Sequence, residues 1–167
     1  MNNKNSQKGV GMVEVLVSLL ILAIGILGFI ALQYRASEST LEAGYRIQAI
    51  NLARDLSERI RVNRNQYEKY QTEISTASNQ KNFAKDCTKN ACSKSELADF
   101  DVAQVVSKAQ SVGMTMNIMK CQGNVNERNC IYVAWGDTAA TDGTDQGNCT
   151  NKNSYVSNST CLIMETY

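Results

Sequence analysis

Residues 8–32 read KGVGMVEVLVSLLILAIGILGFIAL, and the reading of this stretch decides the architecture. From Val15 to Leu32 there are eighteen residues without a charge, and Ser18 is the only polar interruption. A run of that length and purity predicts a membrane-spanning helix. One acidic residue, Glu14, stands directly before it, and a short polar leader, MNNKNSQK, ends in Gly9. Lys4 and Lys8 precede the apolar run, so the N-terminus is expected on the cytoplasmic side and the rest across the membrane.

A conventional secretory signal fits this N-terminus less well. Its hydrophobic region is shorter and ends at a small-residue cleavage site, whereas here the run continues through Phe29, Ile30 and Leu32 into an amphipathic segment. A lipoprotein is disfavoured because no cysteine lies near the apolar run.

Between residues 33 and 63 there is no proline, and Gly44 is the one weak point. Leu41, Tyr45, Ala49, Leu52, Leu56 and Ile60 recur at helical spacing and predict one apolar stripe. Arg35, Glu38, Glu42, Arg46, Arg54, Asp55, Glu58 and Arg59 fall on the other face and read as solvated. The two halves, residues 10–33 and 34–63, then form one helix of about fifty residues, on the order of 75 Å at 1.5 Å per residue. Such a helix outgrows any small domain. Its first half must lie in membrane or against copies of itself, and its second half must pack on a globular head.

That head, residues 64–167, is expected to be α+β. Residues 65–85 are polar and read as an irregular loop with one short helical turn. Ser93 and Glu96 form a capping-box pattern, and Leu97, Val102, Val105, Val106 and Ala109 continue at helical spacing, which predicts a second helix over residues 94–109. Three later segments alternate with period two: Met114, Met116 and Ile118; Ile131, Val133 and Trp135; and residues 161–166. Turn-rich stretches, QGNVNERN and DTAATDGTDQGN, separate them and predict a small antiparallel sheet of at least three strands laid on the long helix. Trp135 and the methionines read as core.

Six cysteines in a head outside the cytoplasm imply disulfides. Six allow fifteen pairings. Nearest-neighbour pairing, Cys87 with Cys92, Cys121 with Cys130 and Cys149 with Cys161, is the expectation, because each pair closes a loop between predicted elements. Zinc is disfavoured by the spacings and by the lack of any histidine in the chain. Asp142, Asp145 and Asn148 lack the alternation of a calcium loop and read as an exposed turn. The sequons at Asn148 and Asn158 carry no weight in this reading. No Ser-His or Cys-His pair can form, so no enzyme, cofactor or metal is expected. Nucleic acid is disfavoured too. Without Lys4 and Lys8 the 17 basic residues fall to 15 against 16 acidic ones.

The order of the N-terminal parts resembles the class III leader and mature N-terminus of type IV prepilins. In that family a prepilin peptidase cuts after a glycine, N-methylates the new first residue, and leaves a glutamate at the fifth mature position. The resemblance implies cleavage between Gly9 and Val10, methylation of Val10, a leader of residues 1–9, and an assembly contact at Glu14. The family's usual first mature residue is Phe, so Val10 is a departure. Major pilins often kink the membrane half of the helix with a proline. Here Gly25 and Gly28 occupy that region, either as a place where the helix loosens or as a small-residue packing surface.

In the head, a Cys pair precedes an S-x-x-E-L-A helix with Asp99 and Asp101 soon after, and an I-x-V-x-W strand follows. This is similar to the minor-pilin group called type IV pilus modification protein V (PilV). The resemblance implies the pilin fold and an inner-membrane subunit, single-pass with a periplasmic head, that enters the pilus near its tip. It further implies work with prepilin peptidase, other minor pilins, the major pilin and a tip adhesin in initiating or capping the filament. A minor pseudopilin of a type II secretion system shares the N-terminal logic, and a signal-anchored periplasmic binding domain shares the disulfide-rich head.

Overall fold

The computed structural model describes residues 11–123 and 128–166, in two compact units that divide between Ala43 and Gly44. Helix α1 runs over Met12–Val62. Among the described residues of the first unit it is the only element, and its side chains lie exposed up to Leu41. The second unit holds the remainder of α1, a 3₁₀ turn at Arg64–Gln66, α2 (Tyr67–Ser75), α3 (Lys94–Ser111) and six strands. The α+β expectation holds.

In the second unit α1 buries Ala49, Leu52, Ala53, Leu56 and Ile60, the three-and-four spacing of a single face. That stripe meets Ala98, Val102, Val105, Val106 and Ala109 of α3 in one core. Helix α3 starts where the sequence indicates. The Glu96 N–H donates to Ser93 Oγ at 3.3 Å and the Ser93 N–H donates to Glu96 Oε2 at 2.7 Å, a closed capping box. Those bonds, the backbone one from Ser93 first, hold the Glu96 carboxyl below its ordinary pKa.

The main sheet is antiparallel in the order β1 (Met114–Lys120), β2 (Asn129–Trp135), β6 (Cys161–Glu165). Register puts Met114, Met116 and Ile118 opposite Trp135, Val133 and Ile131. All six side chains face the helices and are buried there. The opposite face carries Cys130, Tyr132, Ala134 and Cys161, and it too is covered. Its cover is a second sheet, β3 (Ala139–Asp142), β4 (Asn148–Asn151) and β5 (Ser154–Tyr155), which brings Ala140 and Cys149 onto it. The stretch DTAATDGTDQGN is therefore not a plain turn. Strand β3 pairs parallel with β4, an arrangement with no alternation of its own to betray it, held by the apolar face it covers.

Three further expectations need correction. The loop proposed over residues 65–85 contains α2, in which Tyr70 and Ile74 are fully buried. Tyr67, Tyr70 and Ile74 share one helical face, and Glu73 is buried beside them in an ion pair with Lys69. Leu41 and Tyr45 do not continue the core stripe. Leu41 is exposed, and Tyr45 stacks on Trp135 at 6.5 Å from its half-exposed position.

Nor is Arg59 a member of a solvated face. Its Nε donates to Asp55 at 2.8 Å and its Nη1 to Asp101 at 2.5 Å and Gln104 at 3.3 Å. Asp101 also accepts the Tyr70 hydroxyl at 2.7 Å. Burial opposes the charge on Arg59, but the bonds from Asp55 and Asp101 outweigh it and raise its pKa. Asp101, on the inward side of α3, is only 7% exposed and thus fully partnered.

Leu56 is fully buried where α1 meets the core, so Leu56→Ala should destabilise the head by about 2–5 kcal/mol in urea unfolding followed by Trp135 fluorescence. Tyr70 is held protonated, first by burial and then by its bond to Asp101. Its folded pKa is raised, so its contribution is complete below the unfolded value of about 10. Stability should then fall as pH climbs from about 10 through the folded pKa, by at most about 1.4 kcal/mol per pH unit for this group. Tyr70→Phe should flatten that slope, and an unchanged slope would refute the assignment.

Candidate functional site

The first turn of α1 contains Glu14. Its backbone N–H donates to the Gly11 carbonyl at 2.9 Å, and Val15 N–H donates to the same oxygen at 3.4 Å. A carboxylate in a helix's first turn complements the positive end of the helix dipole. No described residue supplies an ion-pair partner for the exposed Glu14 side chain. Ser18 needs none. Its hydroxyl donates to the Glu14 carbonyl at 2.7 Å, which absorbs the one polar group of the run into the helix itself.

The apolar run that follows has no cover. Its large side chains range from 48% exposed at Val15 to 70% at Leu32. Continuous apolar surface of this extent marks a face made to be covered by lipid or by other helices. The helix is long and apolar enough to cross a membrane. Gly25 and Gly28 have no reason within the chain, since a Cβ at either would meet nothing within 4 Å. Small residues at such positions let a second helix approach closely.

Gly9 and Val10, the expected cleavage and methylation positions, lie outside the described residues. Glu14 belongs to the first unit and the six cysteines to the second. Cys87 is joined to Cys92 ahead of α3, Cys121 to Cys130 between β1 and β2, and Cys149 to Cys161 between β4 and β6. The last bond links the two sheets. Two candidate cation ligands are occupied by the fold itself. Asp142 accepts from Thr150 Oγ1 at 2.7 Å and Lys152 N–H at 3.0 Å, while Asn148 Oδ1 accepts from Thr141 at 2.5 Å. Among the described residues no group of three or more acidic, cysteine or histidine side chains could hold a metal ion.

The Arg59, Asp101 and Tyr70 cluster was not anticipated as a unit. The available signal was Asp101 itself, which sits three residues after Ala98 on the apolar side of α3 and so demanded a buried partner.

Two family models match. The prokaryotic N-terminal methylation motif covers residues 4–30, and the type IV pilin Tt1218-like family covers residues 31–103. Comparison with curated proteins and with solved structures finds no match. The two models meet end to end across the leader region, the exposed helix with Glu14 in its first turn, and the helical part of the head. Together the two models match residues 4–103, and over those residues the chain is similar to the type IV pilins.

Proposed function

We propose that the chain is a minor type IV pilin of the PilV kind, which helps initiate or cap pilus assembly with other minor pilins. The observation that carries this reading is the pairing of an uncovered apolar helix with a single unpartnered carboxylate, Glu14, in its first turn. Such a helix is stored in the inner membrane and is reburied among neighbouring helices on assembly. Carrying a lone carboxylate toward the bilayer centre costs a few kcal/mol, so Glu14 needs a cation. Peptidase cleavage after Gly9 creates one, the methylated amine of Val10 on an adjacent subunit.

At about 4 Å separation and an effective dielectric near 20, that attraction is on the order of 4 kcal/mol. It is sufficient to draw a subunit into place and set its axial register. The exposed Gly25 and Gly28 suit close helix packing in the same filament core. The periplasmic head, tied by its disulfides, faces the major pilin and an adhesin near the tip. The chain is a substrate of the peptidase, with no catalysis, cofactor or nucleic acid of its own.

Mass spectrometry of the mature N-terminus should find N-methylated Val10, and Gly9→Ala should leave the leader attached. Normal cleavage of that variant would refute the site. Glu14→Ala should reduce the protein in sheared pili at least tenfold while leaving its membrane level unchanged. Equal incorporation would end the assembly role. Recovery with secretion pseudopilins instead of pilus subunits would transfer the same chemistry to a type II secretion system.

A further inference from the structure

Among the described residues, strand β6 is paired on one edge only. The Trp135 N–H donates to the Thr160 carbonyl at 3.0 Å and the Thr166 N–H donates to the Asn129 carbonyl at 2.8 Å. These bonds fix the parity of the β2–β6 ladder. Leu162 and Met164 turn their backbone groups toward β2, and Cys161, Ile163 and Glu165 turn theirs outward. Among the described residues no strand lies on that outer side. The main sheet thus ends in a row of open N–H and C=O groups.

Beside this edge runs a groove. Two clefts of about 640 and 370 Å³ share Ser57 and Thr166 and lie between α1 and the end of β6. Their charged side chains are Arg54, Arg61, Arg64 and Arg128 against Glu58 and Glu165, a surplus of two positive charges. Glu58 is engaged by Arg61 at 2.6 Å, and Glu165 by Arg128. Arg54 and Arg64 have no carboxylate partner among the described residues. On the floor, the Tyr67 hydroxyl is buried beside Thr166 without a partner in hydrogen-bonding geometry, and burial pushes its pKa up to about 12.

Arg54 stands on α1 and Arg64 in the 3₁₀ turn that follows it, so both line the groove along which alternate residues of a strand, three in a row, would span about 13 Å. A fourth strand on β6 would present every second side chain to these arginines, on the face shared with Leu162 and Met164. Its other side chains would extend the face that carries Ile163.

We propose that the open edge of β6 and the arginines of α1 and of the 3₁₀ turn after it form a docking site for an extended, acidic segment of a partner polypeptide, which adds to the sheet as a fourth strand. Backbone pairing supplies affinity, and carboxylates at alternate positions supply specificity through Arg54 and Arg64.

The test uses the full chain in detergent micelles and a capped hexapeptide of alternating glutamate and valine. Binding should slow hydrogen exchange at the Ile163 and Glu165 amides at least tenfold. A lysine-for-glutamate peptide should not bind, and N-methylation of alternate peptide amides should abolish binding. R54E/R64E, both at exposed positions, should weaken the acidic peptide at least tenfold with unchanged thermal unfolding. Equal binding of the acidic and basic peptides would overturn the proposal, as would binding without slowed exchange at those two amides. No binding of the acidic peptide, or edge-to-edge pairing of two copies in its absence, would do the same.

Discussion

A helix can be apolar on every side only if something other than its own chain surrounds it, and that constraint governs the whole molecule. Through residue 43, α1 is the one described element of its unit, and its large side chains stay exposed from Val15 to Leu32. At about 25 cal/mol per Å² such exposure in water would outweigh the stability of a small domain. Lipid or the helices of other subunits would remove that cost. Ser18 shows how thoroughly the run is prepared, since its hydroxyl is satisfied by the helix itself. Glu14 is the exception, a charge at the head of the run with no partner among the described residues.

From Ala49 onward the same helix solves the opposite problem. Its inner stripe is covered by α2, α3 and the sheet, and the sheet's other face is covered by β3 and β4. The head is small, and much of its second layer is made of short, polar strands. Such strands hold little stability alone. Closure of the twelve-residue separation between Cys149 and Cys161 restrains the unfolded chain by about 3 kcal/mol in the loop-entropy picture, and it does so where hydrophobic burial is thinnest. Covalent ties and burial therefore divide the work by location.

Long-period features were legible in the sequence and short cooperative ones were not. The apolar run, the capping box at Ser93 and Glu96, and the alternation at Ile131, Val133 and Trp135 each repeat a local rule often enough to be read without the fold. Helix α2 was missed because its apolar face has only Tyr67, Tyr70 and Ile74 within a polar segment, a pattern that needs α3 and β1 opposite it to form. Strand β3 has no pattern of its own, and its existence depends on Tyr132 and Ala134 needing cover. For the candidate site, Glu14 stood out as a charge before an uncharged run. Asp101 did not, because a buried carboxylate is recognisable only once its arginine and tyrosine are seen around it.

The charged side of α1 shows why sequence periodicity alone cannot assign roles to charges. Arg54, Asp55, Glu58, Arg59 and Arg61 lie within two turns and look equivalent on a helical wheel. Arg59 is turned to α3 and locked by Asp55 and Asp101, so its charge is spent inside the protein. Arg54 lies one and a half turns away on the β6 side, exposed and without a carboxylate among the described residues. The difference arises from what each residue faces. Asp101 sits three positions after Ala98 on α3 and forces an arginine inward, whereas β6 ends the sheet and leaves the opposite flank of the helix over an open edge. Among the described residues the main sheet has three strands, and the Arg54 flank of α1 lies beside its β6 margin. That flank is basic, and a basic flank beside an open sheet edge would restrict by charge which chain could pair there.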